Sequence, residues 1–365
     1  MIAVRFLLAA VIATGLVGGF NYLVDPLQIF RPARFYTPGY PTEERLHNAG
    51  LIRSQSFDTI FMGDSIGLHL RSSEIDQRFG TRVVKLAMSG STSREQNFVL
   101  KAALERGPKQ VLWEMDDLLF ADVGEVDSLP YFPADLYRMN LKGTATYLFN
   151  LETGREAFFL LLRSWNWKPI SNLRNGLIRA GYLKYDKDNV DELNTFDEAL
   201  APSAYNANKC LAAYKYYSLP ENRLRLGAGY DQDVMVRIFE RDVISLIRER
   251  SDVRFTIYFP PYSMVQYATM RDLAAPAMLR TFFGFNSYVL QRLAQFANVT
   301  LFDFRDDAQM SHDLSQYGDA IHHSPATGRL LLSRIAEGRS RVDGSDPYRS
   351  IEQLKTQINA YRLPR

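Results

Sequence analysis

The chain has 365 residues with 43 Lys and Arg against 41 Asp and Glu, and that near-balance excludes a nucleic-acid binder relying on bulk positive charge. A composition 46% hydrophobic and 23% charged excludes a disordered, collagen-like or multi-span membrane chain. The single cysteine, Cys210, excludes an intrachain disulfide and a cysteine-built metal site. Residues Phe6 to Val24 read FLLAAVIATGLVGGFNYLV, an apolar run interrupted only by Thr14, three glycines and Asn21. At about 1.5 Å per residue, such a helix reaches across the ~30 Å hydrocarbon layer of a bilayer. Arg5 precedes the run and Asp25 follows it, so retention of Arg5 in the cytoplasm places the remaining chain outside. The rival is a cleaved signal peptide, but no Ala-x-Ala closes the run, and an uncleaved anchor (1–26) is the preferred reading.

A proline-rich tether (27–50) follows, and then the signals of one large elaborated domain (51–340). Five short apolar runs read as buried parallel strands: Asp58 to Met62, Arg82 to Ala87, Gln110 to Met115, Val253 to Phe259 and Val299 to Phe304. Four of them run into polar residues, and Val253 to Phe259 into Pro260-Pro261. Helical periodicity appears over Ser93 to Arg106, Asp233 to Arg250 and Leu279 to Phe296. Strands alternating with helices predict an α/β fold, a three-layer, doubly wound parallel sheet of flavodoxin-like type. Ligands then bind beyond the carboxyl ends of the strands.

From about Ala121 to Tyr230 the pattern turns helical and aromatic, with Tyr131-Phe132, Trp165-Asn-Trp167 and Tyr214-Lys-Tyr216-Tyr217. This reads as an insertion packed over the ligand edge of the sheet, most of its aromatics core and a minority lining a cleft suited to sugar stacking. The polar tail (341–365) reads as a surface helix.

Ser65 closes the first strand in Gly63-Asp64-Ser65, and Ile66-Gly67-Leu68 after it reads as the start of a helix whose N-terminus favours negative charge near the hydroxyl. Taken alone, this serine is equally a helix N-cap. A serine nucleophile needs a base titrating near neutrality, and five histidines are available: His47, His69, His312, His322 and His323. His47 and His69 read as surface or packing residues. His322 stands in Asp319-Ala-Ile-His322, after the last strand and just before a helix starting at Ser324-Pro325. An Asp three residues before a His is placed to accept its ring N–H and set its tautomer.

These residues resemble the SGNH, or GDSL-type, hydrolase family. Gly63-Asp64-Ser65 matches the nucleophile block, Ser89-Gly90 the second-block glycine, and Asp319-Ala-Ile-His322 the C-terminal Asp-x-x-His block, in family order. The resemblance implies Ser65 as nucleophile, His322 as base and Asp319 as its orienting acid, with the backbone N–H groups of Ser65 and Gly90 in the oxyanion hole. No cofactor is expected, and no metal, because His322 and His323 are adjacent on a loop and the side chains of neighbours point apart. The third block departs: where the family shows Gly-x-Asn-Asp, this chain has Glu114-Met-Asp116-Asp117. An ionised carboxylate repels an oxyanion, so either another donor such as Asn97 substitutes, or Asp116 is protonated, or activity is weak.

The anchor, the Asp25-Pro26 tether and the Pro260-Pro261-Tyr262 strand end resemble the extracytoplasmic subgroup that includes alginate O-acetylation and teichoic acid D-alanylation proteins. That resemblance implies a single-pass protein of the bacterial inner membrane with its catalytic domain in the periplasm. Its substrates would be an acyl donor and an envelope polysaccharide, and its partner a membrane-bound O-acyltransferase; nucleic acid is not a partner. Three functions stay open: O-acyl transfer through an acyl-serine, with acetyl the expected group; a carbohydrate esterase; or a scaffold that binds glycan or the partner enzyme.

Overall fold

The computed structural model describes residues 2–36, 38, 43–121, 132–138, 140–164, 172, 176, 204–223, 226 and 229–364. They fall into two compact units, one of residues 1–56 with 130–193 and the other of 57–129 with 194–365.

The second unit carries the sheet. Its elements are β1 (Thr59–Met62), α1 (Ser72–Phe79), β2 (Val83–Lys85), α2 (Ser93–Leu104) and β3 (Gln110–Glu114). After these come α3 (Ala207–Ser218), α4 (Gln232–Phe239), β4 (Arg254–Phe259), α5 (Met264–Asp272), α6 (Pro276–Leu293), β5 (Val299–Asp303), α7 (Pro325–Ala336) and α8 (Arg349–Ala360). Helix α4 runs on through a π turn, Glu240–Ile244, into Ser245–Glu249. All five strands pair in parallel in the order β2-β1-β3-β4-β5. The five apolar runs named from the sequence are these strands.

Side chains alternate across the sheet, and both faces are apolar because helices cover both. Phe61 pairs with Leu112 and Tyr258 with Phe302. These four share one core with Ile75 of α1 and Leu331, Leu332 and Ile335 of α7. Trp113 faces the other side, where its indole N–H donates to Gln96 Oε1 of α2 at 2.7 Å. Helix α2 starts where the sequence predicts, because Thr92 and Glu95 form a reciprocal capping box. The strand order reverses between β1 and β3, so the chain diverges there and opens a crevice beyond their carboxyl ends.

The C-terminal helix α8 is not merely a polar surface element. It buries Ile351, Leu354 and Ile358, and the last two join a cluster with Tyr267 and Phe282.

The first unit is helical. A helix over Ile2–Val24, here called αN, leads through the Asp25 turn to Glu44–Ser54. The most apolar stretch of αN has mean hydropathy 2.0 and is long enough to cross a membrane. The same unit holds helices αP (Ala134–Arg138), αQ (Leu141–Leu148) and αR (Leu151–Ser164), of which αQ and αR pack against αN. The described residues of the aromatic segment after β3 divide between the two units. Its described first part, 132–164, belongs with the N-terminal helices, while α3 belongs with the sheet, where Cys210 donates to Ser263 Oγ at 3.1 Å. Tyr131, Trp165 and Trp167 lie outside the described residues.

Candidate active site

β1 delivers Gly63-Asp64-Ser65 to the crevice. No helix starts there: residues 65–70 form successive turns and α1 begins only at Ser72. Ser65 therefore has no helix N-terminus beside it, and a different device shapes its turn. Asp64 Oδ1 accepts the Ile66 N–H at 2.8 Å, folding the backbone over the serine in an Asx turn. The buried Lys85 then holds the carbonyls of Leu68 and Leu70 from its Nζ, at 2.9 and 2.7 Å.

The loop before α7 carries the partners of Ser65. It is closed by the Gly318 N–H on the His322 carbonyl at 2.9 Å, and tied to the end of β4 where Ser263 Oγ donates to the Ala320 carbonyl at 2.7 Å. Ser324 caps α7 through the Thr327 N–H, as the Ser324-Pro325 signal predicts. In this frame His322 Nε2 lies 2.9 Å from Ser65 Oγ, and His322 Nδ1 lies 2.6 Å from Asp319 Oδ2. Asp319 Oδ1 accepts the N–H groups of Ile321 and His322, both at 2.8 Å, which locks the carboxylate to its own loop.

Burial opposes charge on both partners, yet each supports the other. Burial alone lowers the His322 pKa, but the Asp319 hydrogen bond and charge, with Asp64 and Asp116 further off, hold it above the ordinary value. Burial raises Asp319, but the His322 contact and the two backbone N–H groups bring it below the usual carboxylate range.

A cleft of about 330 Å³ opens over this triad, lined among others by Ser65, Ser89, Tyr205, Lys209, Asp319 and His322. Gly90 follows Ser89 on the loop after β2 with φ +56°, a left-handed conformation that favours glycine. The Met88 N–H on the Gly63 carbonyl, at 3.1 Å, holds that loop against the nucleophile turn. Tyr205 and Lys209 were not legible as site residues from the sequence, since nothing local distinguishes them from their aromatic surroundings.

Two sequence candidates do not join the cleft. Asn97, proposed as a substitute oxyanion donor, is buried in α2 and its Nδ2 donates to the Asp242 carbonyl at 2.6 Å. Asp116, placed by the third block at the oxyanion, turns inward instead. Its Oδ1 caps the N–H groups of Leu118 and Leu119 at 2.7 and 3.3 Å, and its Oδ2 accepts the Tyr262 hydroxyl at 2.8 Å.

Asp116 belongs to a buried carboxyl cluster. Asp64 shares hydrogen bonds with Glu114 and Asp116, and a bond between two carboxyls requires a proton on one of them. Burial, then mutual repulsion, pushes Asp64 and Glu114 each up to about 7, and Asp116 well above the usual carboxylate range. Glu114 Oε2 also accepts the Tyr258 hydroxyl at 2.9 Å. Four acidic residues at two adjacent strand ends were a signal for this cluster.

The other histidines play no part in the triad. His69 and His323 are buried edge to face, with ring centroids 4.8 Å apart. Burial holds His69 well below its ordinary pKa and His323 at about 4, so both stay neutral. His47 is buried in the helical unit, and His312 pairs with Gln357 at 3.2 Å.

No protein-family model matches this chain, and no curated protein matches it.

Proposed function

We propose that the protein is a serine-dependent acyl-transfer enzyme of SGNH type that O-acylates an envelope polysaccharide on the extracytoplasmic side of the bacterial inner membrane. The observation that carries the reading is the Ser65, His322 and Asp319 chain of contacts at 2.9 and 2.6 Å, standing over a cleft. The parallel sheet order, with the serine at its reversal point, supports the same reading. The apolar helix Ile2–Val24 supports the membrane location.

In this mechanism Ser65 Oγ attacks the carbonyl of the acyl donor while His322 Nε2 takes its proton. The Ser65 and Gly90 N–H groups, assigned by the sequence resemblance, carry the oxyanion. His322 returns the proton to the leaving group, which departs and leaves an acyl-serine ester. A glycan hydroxyl then gives its proton to His322 as it attacks the ester carbonyl, and His322 passes that proton to Ser65 Oγ as the acyl-serine bond breaks, leaving the acylated glycan and free Ser65. The donor, the polymer and a membrane-bound O-acyltransferase partner belong to this proposal through the same resemblance. Tyr205 is an aromatic surface on the cleft against which a sugar can stack.

A carbohydrate esterase is the second reading, favoured by one observation. The side chains of His322 and Asp319 are 36% and 48% exposed, so water reaches the base as readily as an acceptor does. A pure scaffold has less support, since nothing in binding alone requires the serine, histidine and aspartate to be in contact.

The test is turnover of a chromogenic acetyl ester, with and without glycan acceptor, by the full chain and by Ser65→Ala. Ser65-dependent acetyl release supports acyl chemistry, and acetyl appearing on the glycan selects the transferase. Equal, background-level rates for both proteins would sink the enzyme reading.

A further inference from the structure

We propose that the turn between αQ and αR is a second membrane-contacting element, seated at the boundary of acyl chains and headgroups beside αN. The inference rests on αN crossing the bilayer.

The contacts of αN fix the depth of this turn. Phe149, at the turn, lies over Gly18, where a Cβ would meet its ring. Asn21 Nδ2 donates to the carbonyls of Leu148 and Asn150 at 2.7 and 3.0 Å. Further along, Ala157 and Leu160 of αR share a cluster with Val24 and Tyr36. Helix αR thus follows αN toward its C-terminal end. From Gly18 to Val24 is six residues, or about 9 Å of helix, so the turn sits roughly that far below the end of the span.

Side chains at that level suit lipid. Leu151 is 76% exposed, Phe149 and Phe158 are each 51% exposed, and Tyr22 and Leu23 of αN are exposed as well. Leu151, Phe158 and Leu162 recur along one stripe of αR. Charges bound how deep the turn can lie. Glu152, next to Leu151, and Glu156 pair with Arg155 at 2.7 and 3.0 Å, which keeps the turn at headgroup depth rather than in the hydrocarbon centre. Arg31 lies over the Tyr22 ring at 4.5 Å and donates to the Leu23 carbonyl at 2.9 Å, placing a cation at the water end of the span.

Asn21 explains why the turn tolerates this position. Carbonyls at the C-terminal end of a helix have no partner within the helix. The Asn21 amide supplies one to the Leu148 carbonyl at the end of αQ, and its second bond goes to the Asn150 carbonyl, which also accepts the Gly154 N–H at 3.2 Å, so a fully buried amide in an otherwise apolar run ties αN to this turn.

The experiment places an environment-sensitive dye at Leu151→Cys in the full-length chain, reconstituted in vesicles of phosphatidylcholine and phosphatidylglycerol, with quenching by nitroxide lipids. Ile12→Cys reports on the span, and the wild type, whose only cysteine is the buried Cys210, is the labelling blank. The expected result is strong quenching of the dye at position 12 by deep nitroxides, and quenching at position 151 by shallow nitroxides, weakened several-fold by Asn21→Leu. A quenched dye at position 12 with a water-exposed one at position 151 would overturn the seat while leaving the span intact, and would assign the apolar stripe to a protein partner. A water-exposed dye at position 12 would overturn the span and the seat together.

Discussion

His322 Nε2 lies 2.9 Å from Ser65 Oγ although 257 residues separate them, and the acid that orients the imidazole comes from the histidine's own loop. Base and acid therefore move as one rigid piece against the nucleophile turn. Asp319 Oδ1 is already committed to two backbone N–H groups, so only Oδ2 is left for the ring.

That commitment makes Asp319→Asn severe. The amide oxygen will keep the backbone bonds, turning its NH₂ toward His322 Nδ1 and driving the ring proton onto Nε2, where it blocks the base. Ser65-dependent ester turnover should fall by roughly 10³ to 10⁴-fold, as for the comparable change in serine proteases. A loss below about tenfold would show that the base does not depend on this contact.

The pH profile follows from the same pair. The base works as neutral imidazole, and Asp319 raises the His322 pKa, so wild-type turnover should rise with pH through a limb above the ordinary histidine value of 6.5. Residual activity of Asp319→Asn should show that limb at lower pH. A limb unmoved by the substitution would detach the pH profile from His322.

Asp116→Asn tests where the third-block residue points. An amide can keep the caps to Leu118 and Leu119 and still meet Tyr262, so the fold should survive and ester turnover stay within about tenfold of wild type. A gain of about 10²-fold would place this side chain at the oxyanion after all.

Glu114→Gln tests the buried carboxyls. Glu114 titrates near 4.5 when unfolded and at about 7 when folded. Between those values the unfolded chain has released a proton that the folded chain retains, so this group makes wild-type stability fall as pH rises from about 4.5 to 7. An amide at this position removes that dependence. The variant's unfolding free energy, read from denaturant curves, should gain on wild type across this window by an amount on the order of 3 kcal/mol. Parallel pH dependences for the two proteins would show that Glu114 ionises normally.

Gly50→Ala probes the helical unit. A Cβ at Gly50 would overlap the Leu27 carbonyl oxygen, and main chain cannot rotate aside as a side chain can. Alanine gains about 1 kcal/mol in a helix interior, but forcing two backbones apart costs about 1–3 kcal/mol or more, so the clash should win and the thermal midpoint should drop. An unchanged or higher midpoint would mean the Leu27 turn yields freely.

Local pattern determined much of this protein. The five buried strands announce themselves because strands covered on both faces are continuously apolar and stop at polar residues or, after Phe259, at two prolines. The Asp319-Ala-Ile-His322 spacing is short enough to dictate its own contact, and the Ile2–Val24 helix follows from composition alone. What only the tertiary structure decided are the directions of side chains whose partners are distant in sequence. Asn97 and Asp116 are both polar residues near the right strand ends, yet one turns to the Asp242 carbonyl and the other to Tyr262, because a buried polar group goes where its hydrogen bonds can be met. The same reason ends the helical expectation after Ser65. Apart from Gly67, residues 66–70 are acceptable helix formers, but the Asp64 carboxyl and the buried Lys85 ammonium take their backbone groups into turns, and neither partnership is visible until the strands are side by side.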